Sequence, residues 1–376
     1  MTVTFIFNFL NHHQVLVADE MYKLLGDDFH FVATFVRDPS QLKGGVDYSA
    51  RPYCLLAAEG DDAAVEAHRL NRESDVCVFG AGNLNWVKER ADTDKLSFEV
   101  SERWLKKGWR NVFSPRLIKW WLLYQNQLKH KPFYRLCCSA FTAGDDVKLG
   151  CYRGRHYKWG YFTKVGDFSV EAPKGVSTPG SATILWCARF LVLKHPELAV
   201  KLAARLKEEH YDFVIDMYGE GVEQEKTKKL CEKLNVSDVI SFKGNVPNKE
   251  ILQAMRQHDI FLFTSNRLEG WGAVVNEAMA NECCVVASDA VGSVPYLISE
   301  MRTGLTFQSG NLDSLCDKVR YLLDHPEDRK RMAKAARRSM VEEWSPANAA
   351  QNLMRLIDDI RNGRDVSIQQ GPCSVA

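Results

Sequence analysis

Short runs of almost uninterrupted apolar, β-branched and aromatic residues alternate with longer amphipathic stretches along most of this chain. In the first half the runs cover residues 3–9, 29–36 and 75–79. In the second half they cover 183–187, 213–218, 239–242, 260–264 and 284–288. A strand without polar alternation is covered on both faces, which is the situation of a parallel sheet between helical layers. The stretches between, such as 197–209 and 223–234, have the length and pattern of crossover helices. The reading is an α/β chain of two Rossmann-like βαβ domains.

The length of 376 residues agrees with two domains. Residues 171–181 hold two prolines and two glycines with little apolar content, and read as a linker. The first domain is then 1–170 and the second 182–345, followed by an amphipathic helix over 346–362. Residues 363–376 are polar and are expected to form a flexible tail. Lys and Arg total 49 against 48 Asp and Glu, a net charge of +1, which excludes a wholly basic nucleic-acid binder and an acidic disordered chain. The eleven cysteines are odd in number and show no C-x-x-C spacing, so reduced, buried thiols are expected. No apolar run approaches the ~18 residues of a bilayer span, and the first residues read as a strand and not as a signal peptide. These features point to the cytoplasm.

The chemistry-bearing residues collect after strands of the second half. A strand ends near Thr264, and Glu269, Gly270, Trp271, Gly272 and Ala273 then lead into a helix that carries Glu277. Glycines there admit a ligand close to the backbone, a helix start offers free N–H groups to an anion, and two carboxylates accept from hydroxyls. An anionic ligand rich in hydroxyls fits, as does an ordinary βα turn with a capping acid. Arg189 and Lys194 follow another strand and have the charge to neutralise a diphosphate. Tyr218 and Gly219, then Asn245 and Val246, occupy two more loops after strands. Loops at the carboxyl ends of neighbouring strands converge on one crevice.

Taken together, this half resembles the donor-binding domain of the retaining family 4 glycosyltransferases, which have the GT-B fold of two Rossmann-like domains facing across a cleft. The resemblance rests on Arg189 with Lys194, on Tyr218-Gly-Glu-Gly221, on the 242–247 loop, and on Glu269 and Glu277 with Ala278-Met-Ala280, over residues 182–345. It implies that Arg189 and Lys194 hold the donor diphosphate and that Glu277 takes the ribose hydroxyls. Glu269 would take hydroxyls of the transferred sugar beside the 270–273 backbone, with Asn245 and Val246 near the base. Catalysis would fall to Arg189, Lys194 and Glu269, with no metal and no cofactor beyond the UDP- or GDP-linked sugar substrate. The 346–362 helix would return to the first domain. Two departures stand out. Tyr296 occupies a position usually held by an acid, and Asn11-His-His-Gln14 replaces the usual glycine pair after the first strand.

In the first half, His12 and His13 follow the first strand, and Glu99, Glu102 and Arg103 lie in a second candidate acceptor region. The acceptor side is assigned to His12, His13 and Glu102. The segment Gly80-Ala-Gly-Asn-Leu-Asn85 lacks the third glycine of a dinucleotide fingerprint, and Asp92-Thr-Asp94 has no strand before it. From Arg103 through Arg135 there are nine Lys or Arg, four Trp and no Asp or Glu. This window reads either as a basic, aromatic helix lying on the inner face of a membrane or as a core-packed helix with a basic face. The expectation is a glycosyltransferase that takes a nucleotide sugar and a glycan or lipid-linked acceptor, without nucleic acid. A sugar-nucleotide epimerase of similar fold and a silent nucleotide-sugar-binding protein are the rivals.

Overall fold

The computed structural model describes residues 1–35, 48–80, 82–166 and 181–376. The expected linker therefore lies, except for Ser181, outside the described residues. Contacts divide the chain into two compact units, Met1–Thr163 with Glu343–Ala376, and Lys164–Glu342.

The first unit runs β1 (Val3–Phe7), α1 (Val15–Leu25), β2 (Phe29–Ala33), β3 (Cys54–Leu56), α2 (Asp61–Glu73), β4 (Val76–Phe79), α3 (Leu84–Ala91), β5 (Ser97–Ser101), α4 (Pro115–Leu123), β6 (Phe133–Cys137), α5 (Thr142–Lys148) and β7 (His156–Lys158). Its seven strands are all parallel, in the order β3-β2-β1-β4-β5-β6-β7. The central strands β1 and β4 are buried along their whole length, as the uninterrupted apolar runs require.

Strands β5 and β6 escape the apolar pattern because they bury charge. Glu99 on β5 lies in register with Arg135 on β6. The Arg135 guanidinium donates to Asp146 at 2.9 Å and lies 3.7 Å from Glu99. It also sits over the rings of Trp104, Trp120 and Tyr152 at 4.8, 4.7 and 4.2 Å. Glu99 accepts from the Trp120 indole at 2.9 Å and from the Tyr152 hydroxyl. Burial pushes the Glu99 carboxyl up, and Arg135 pulls it back. Residue 99 thus lies inside a strand, and its carboxylate belongs to the core.

The second unit runs β8 (Ser181–Cys187), α6 (Pro196–Glu208), β9 (Asp212–Tyr218), α7 (Gln224–Lys233), β10 (Ile240–Gly244), α8 (Asn248–Gln257), β11 (Ile260–Phe263), α9 (Val274–Ala280), β12 (Cys284–Ser288), α10 (Val294–Leu297), β13 (Leu305–Phe307), α11 (Leu312–Asp324) and α12 (Pro326–Glu342). Six parallel strands order as β10-β9-β8-β11-β12-β13. Their inner faces meet Leu198, Leu202 and Leu206 of α6, and Leu315, Val319 and Leu322 of α11, in one apolar cluster.

A last helix, α13 (Pro346–Arg361), packs on α1 of the first unit. Ser345 caps it by accepting from the Asn348 amide at 3.2 Å, and Pro346 occupies its first turn. The expected free tail is not free at its end. Cys373 is buried, its amide donates to Lys158 at 2.7 Å, and the Lys158 amide donates to Ser374 at 2.8 Å. Val375 bridges Tyr157, so the last residues cover the open edge of β7. Polar composition misleads here because the tail is held through its backbone. Among the described residues no helix is long and apolar enough to cross a membrane.

Removing Arg135 leaves Asp146 and Glu99 as buried, uncompensated acids. Arg135→Ala is expected to cost about 3–5 kcal/mol in the equilibrium denaturation of the chain. An unchanged denaturation midpoint would contradict this account of the first core.

Candidate active site

In the second unit the strand order reverses between β8 and β11, the place where an open α/β sheet leaves a crevice beyond its carboxyl ends. The loops leaving those two strands are stitched together there. The Trp186 indole donates to the Thr264 hydroxyl at 2.9 Å, and that hydroxyl donates to the Lys194 carbonyl at 2.6 Å. The Asn266 amide donates to the Leu193 carbonyl at 2.9 Å, and its side chain meets His195 Nε2 at 3.0 Å. His195 takes a left-handed backbone, φ 49°, to turn the loop into α6. These bonds fix both loops, and the result is an ion pair between Lys194 and Glu269. Their side chains are only 13% and 17% exposed.

Arg189 lies on the same loop as Lys194, exposed, and among the described residues its guanidinium has no acid partner. The loop around it is laid down by the turn after β9. The Phe190 amide donates to Glu220, and the Ala188 amide donates to Tyr218. That approach explains the glycines. Gly219 has φ 114°, and a Cβ there would lie 2.1 Å from the Ala188 oxygen. A Cβ on Gly221 would lie 2.4 Å from the Phe190 oxygen. Gly219, expected beside the donor, is first of all required by this backbone contact.

Glu277 lies in the first turn of α9. The Asn248 amide, at the start of α8, donates to it at 3.4 Å. Burial pushes the Glu277 carboxyl up to about 7, and the long bond from Asn248 only partly opposes this. Burial and the Glu277 charge push the Cys187 thiol, at the end of β8, up to about 12, with Lys194 acting the other way. Cys187 therefore lies within electrostatic reach of both Lys194 and Glu277. Tyr218 is half-buried, and burial, Asp216 and Cys187 raise its hydroxyl. Asn245 is exposed and Val246 half-buried in the loop before α8.

Not every expected donor contact faces the crevice. Trp271 is 1% exposed, and its indole donates to Asn276 at 2.9 Å. Its ring packs inward because Gly272, at φ 83°, turns the chain against Phe263, where a Cβ would lie 2.6 Å from the ring. The 270–273 segment thus meets a ligand through backbone and not through the indole. Ala273 is half-buried at the N-cap of α9, and Gly270 is buried. Tyr296 packs beside Trp271 with rings 6.2 Å apart.

The carboxyl edge of the first sheet has its own cluster. His12 and His13 lie with rings 3.8 Å apart, and Tyr161 stacks on His13 at 4.9 Å. The Tyr161 hydroxyl donates to Glu102 at 2.8 Å, and Glu102 also pairs with Lys106. Tyr161 joins the three expected residues. Sequence reasoning missed it because it follows β7, far along the chain, in no motif. Arg103 turns away to a two-pronged pair with Asp145, at 3.1 Å for each bond. Gly80 is packed against Phe7, and Asn83 donates to the Ile6 carbonyl at 3.0 Å, so this turn is a packing device. Asp94 pairs with Lys131 at the surface. Among the described residues no three His, Cys, Asp or Glu side chains group to hold a metal ion.

Both units have the parallel α/β build of the GT-B class, and the comparisons with known proteins carry the assignment further. Residues 169–339, nearly the whole of the second unit, match the model of the family described as glycosyl transferases group 1. The sulfoquinovosyl transferase SQD2 of Arabidopsis thaliana is 31% identical over 173 residues, covering 45% of this chain and 32% of the relative. The chain spans about a third to a half of the length of the curated relatives it matches. Among solved structures, the lipopolysaccharide outer core galactosyltransferase WaaB superposes with a TM-score of 0.71 at 12% identity, over 96% of this chain and all of that one. HepE of Anabaena, in complex with UDP, superposes with a TM-score of 0.68 at 12% identity and the same coverage.

A carboxyl whose folded value lies above its unfolded one costs stability once it ionises, so stability falls as pH rises from about 4.5 to about 7. Glu277→Gln removes that cost. The variant is expected to melt with the parent at pH 5 and above it at pH 8. A parent that gains on the variant as pH rises would contradict the burial of this acid. Gly219→Ala, which clashes with the Ala188 carbonyl, is expected to destabilise the second unit by about 1–3 kcal/mol in chemical denaturation. An unchanged midpoint would show that this turn is not constrained as described.

Proposed function

We propose that the chain transfers a sugar from a nucleoside-diphosphate donor to a glycan or lipid-linked acceptor, with retention of anomeric configuration and without a metal ion. The observation that carries this reading is the Lys194–Glu269 pair at the reversal point of the sheet, with Arg189 on the same loop and Cys187 within electrostatic reach of both Lys194 and Glu277, in a segment that matches the group 1 glycosyl transferases.

The Lys194–Glu269 pair supports a way for the site to receive its donor. Lys194 and Glu269 neutralise each other. A diphosphate offers Lys194 a stronger anion, and its arrival frees Glu269 to accept from hydroxyls of the sugar. Arg189 adds a second, forked cation. Both cations strengthen their hold as charge builds on the departing diphosphate, which is how they lower the barrier without a metal. Glu277, buried and held by one long bond from Asn248, takes the two ribose hydroxyls. Asn245 and Val246 border the base. On the acceptor side, Glu102 and the His12–His13 pair supply polar contacts to the incoming hydroxyl. A uridine donor is the first to test, because HepE was solved with UDP.

Calorimetric titration with UDP and GDP, followed by incubation with the UDP- or GDP-linked sugars and product analysis by NMR, tests the reading. Binding of one diphosphate and a product that keeps the donor's anomeric configuration are expected. Conversion of a nucleotide sugar without acceptor would replace transfer by epimerisation. Arg189→Ala and Lys194→Ala are each expected to lower kcat/KM by about two to three orders of magnitude, or ~2–4 kcal/mol of transition-state stabilisation. A normal turnover number in both would remove them from the chemistry. Chelator is expected to leave the rate intact, and loss restored by Mn²⁺ or Mg²⁺ would contradict metal-free transfer.

A further inference from the structure

The segment from the end of β5 to the end of α4 exposes a surface that the packing of the first unit does not account for. Its inward residues are spoken for. Trp104 and Trp120 lie on Arg135, and Trp120 stacks on Tyr124 at 5.8 Å. Yet Trp109 and Phe113, on the short turn Gly108–Phe113, are 62% and 80% exposed. Ile118, Trp121 and Leu122 are also exposed, and their i, i+3, i+4 spacing puts them on one face of α4. This helix is apolar on its inner and its outer side, a pattern that normally means burial on both. Scattered exposed apolar residues are ordinary, but here five fall within fourteen positions, and they include three of the four exposed Phe and Trp side chains among the described residues.

The charges around them have one sign. Lys107, Arg110, Arg116 and Lys119 are exposed, and among the described residues none of the four forms an ion pair. No Asp or Glu occurs from residue 103 to residue 135. We propose that this surface docks the first unit onto a bilayer containing anionic lipid. The rings sit at headgroup depth, Ile118 and Leu122 reach the acyl boundary, and the cations meet lipid phosphates. A hydrated polyanion would use the cations but would leave the exposed Trp, Phe, Ile and Leu side chains without a partner. Docking is independent of what the second unit binds.

The full chain is sedimented with vesicles of phosphatidylcholine alone and of phosphatidylcholine mixed with phosphatidylglycerol. Binding to the mixed vesicles, weakened by salt, is expected, with little binding to the neutral ones. Two double variants share the test, Trp109→Ser with Phe113→Ser, and Arg110→Ala with Arg116→Ala. All four positions are exposed, so both variants are expected to melt with the parent and to bind mixed vesicles about tenfold more weakly or worse. A parent that ignores mixed vesicles overturns the proposal. So does a ring variant that binds them as well as the parent, since the surface would then hold polyanions, with soluble heparin displacing it equally from both proteins.

Discussion

The position of Lys194 is set by its own carbonyl. Thr264 accepts from a buried indole and donates to that carbonyl, and Asn266 binds the carbonyl one residue earlier. Two loops that would otherwise move separately at the carboxyl ends of β8 and β11 become one rigid edge. Everything chemical in the second unit depends on this. The Lys194–Glu269 pair, the turn at His195 into α6 and the run of chain toward α9 all start from the stitched edge. A long, flexible side chain loses rotamer freedom when it is held in place, and here the backbone bonds supply part of that ordering before any ligand arrives.

The two units bury charge in opposite ways. In the first, Arg135 is closed in by acids and aromatic rings, and its charge is compensated from within. In the second, Glu277 lies in a partly desolvated crevice with a single long bond from Asn248. A buried cluster whose charges compensate one another holds a fold together, whereas a desolvated acid short of donors is the state in which a hydroxyl-bearing ligand gains most. The contrast separates a structural cluster from a receptive one although both hold carboxylates after strands.

The sheet of the second unit was legible because its inner strands β11 and β12 are uninterrupted apolar runs, while β9 and β10 alternate buried and open positions. Strands β5 and β6 of the first unit were harder to read, since they carry Glu99 and Arg135 in the positions where apolar residues would have announced a strand. The donor-side set was legible by spacing, but Trp271 shows the limit of that method. A motif places a residue beside a ligand, while the direction of its side chain follows from Gly272 and Phe263, which no spacing rule reveals. Gly219 reads as a donor contact, and the nearer cause of Gly219 and Gly221 alike is the backbone of 188–190. Tyr161 and the held tail were invisible for the same reason. Each is fixed by contacts across long sequence separations, through a ring stack or through backbone bonds.

The exchange of partners at Lys194 is the core of this account, and a crystal structure of the chain with UDP observes it directly. The account predicts the diphosphate at the β8–β11 reversal, with Lys194 moved from Glu269 onto a phosphate oxygen and the Glu269 carboxylate turned to the open side. A diphosphate bound elsewhere, or one bound there while Lys194 stays on Glu269, would contradict it.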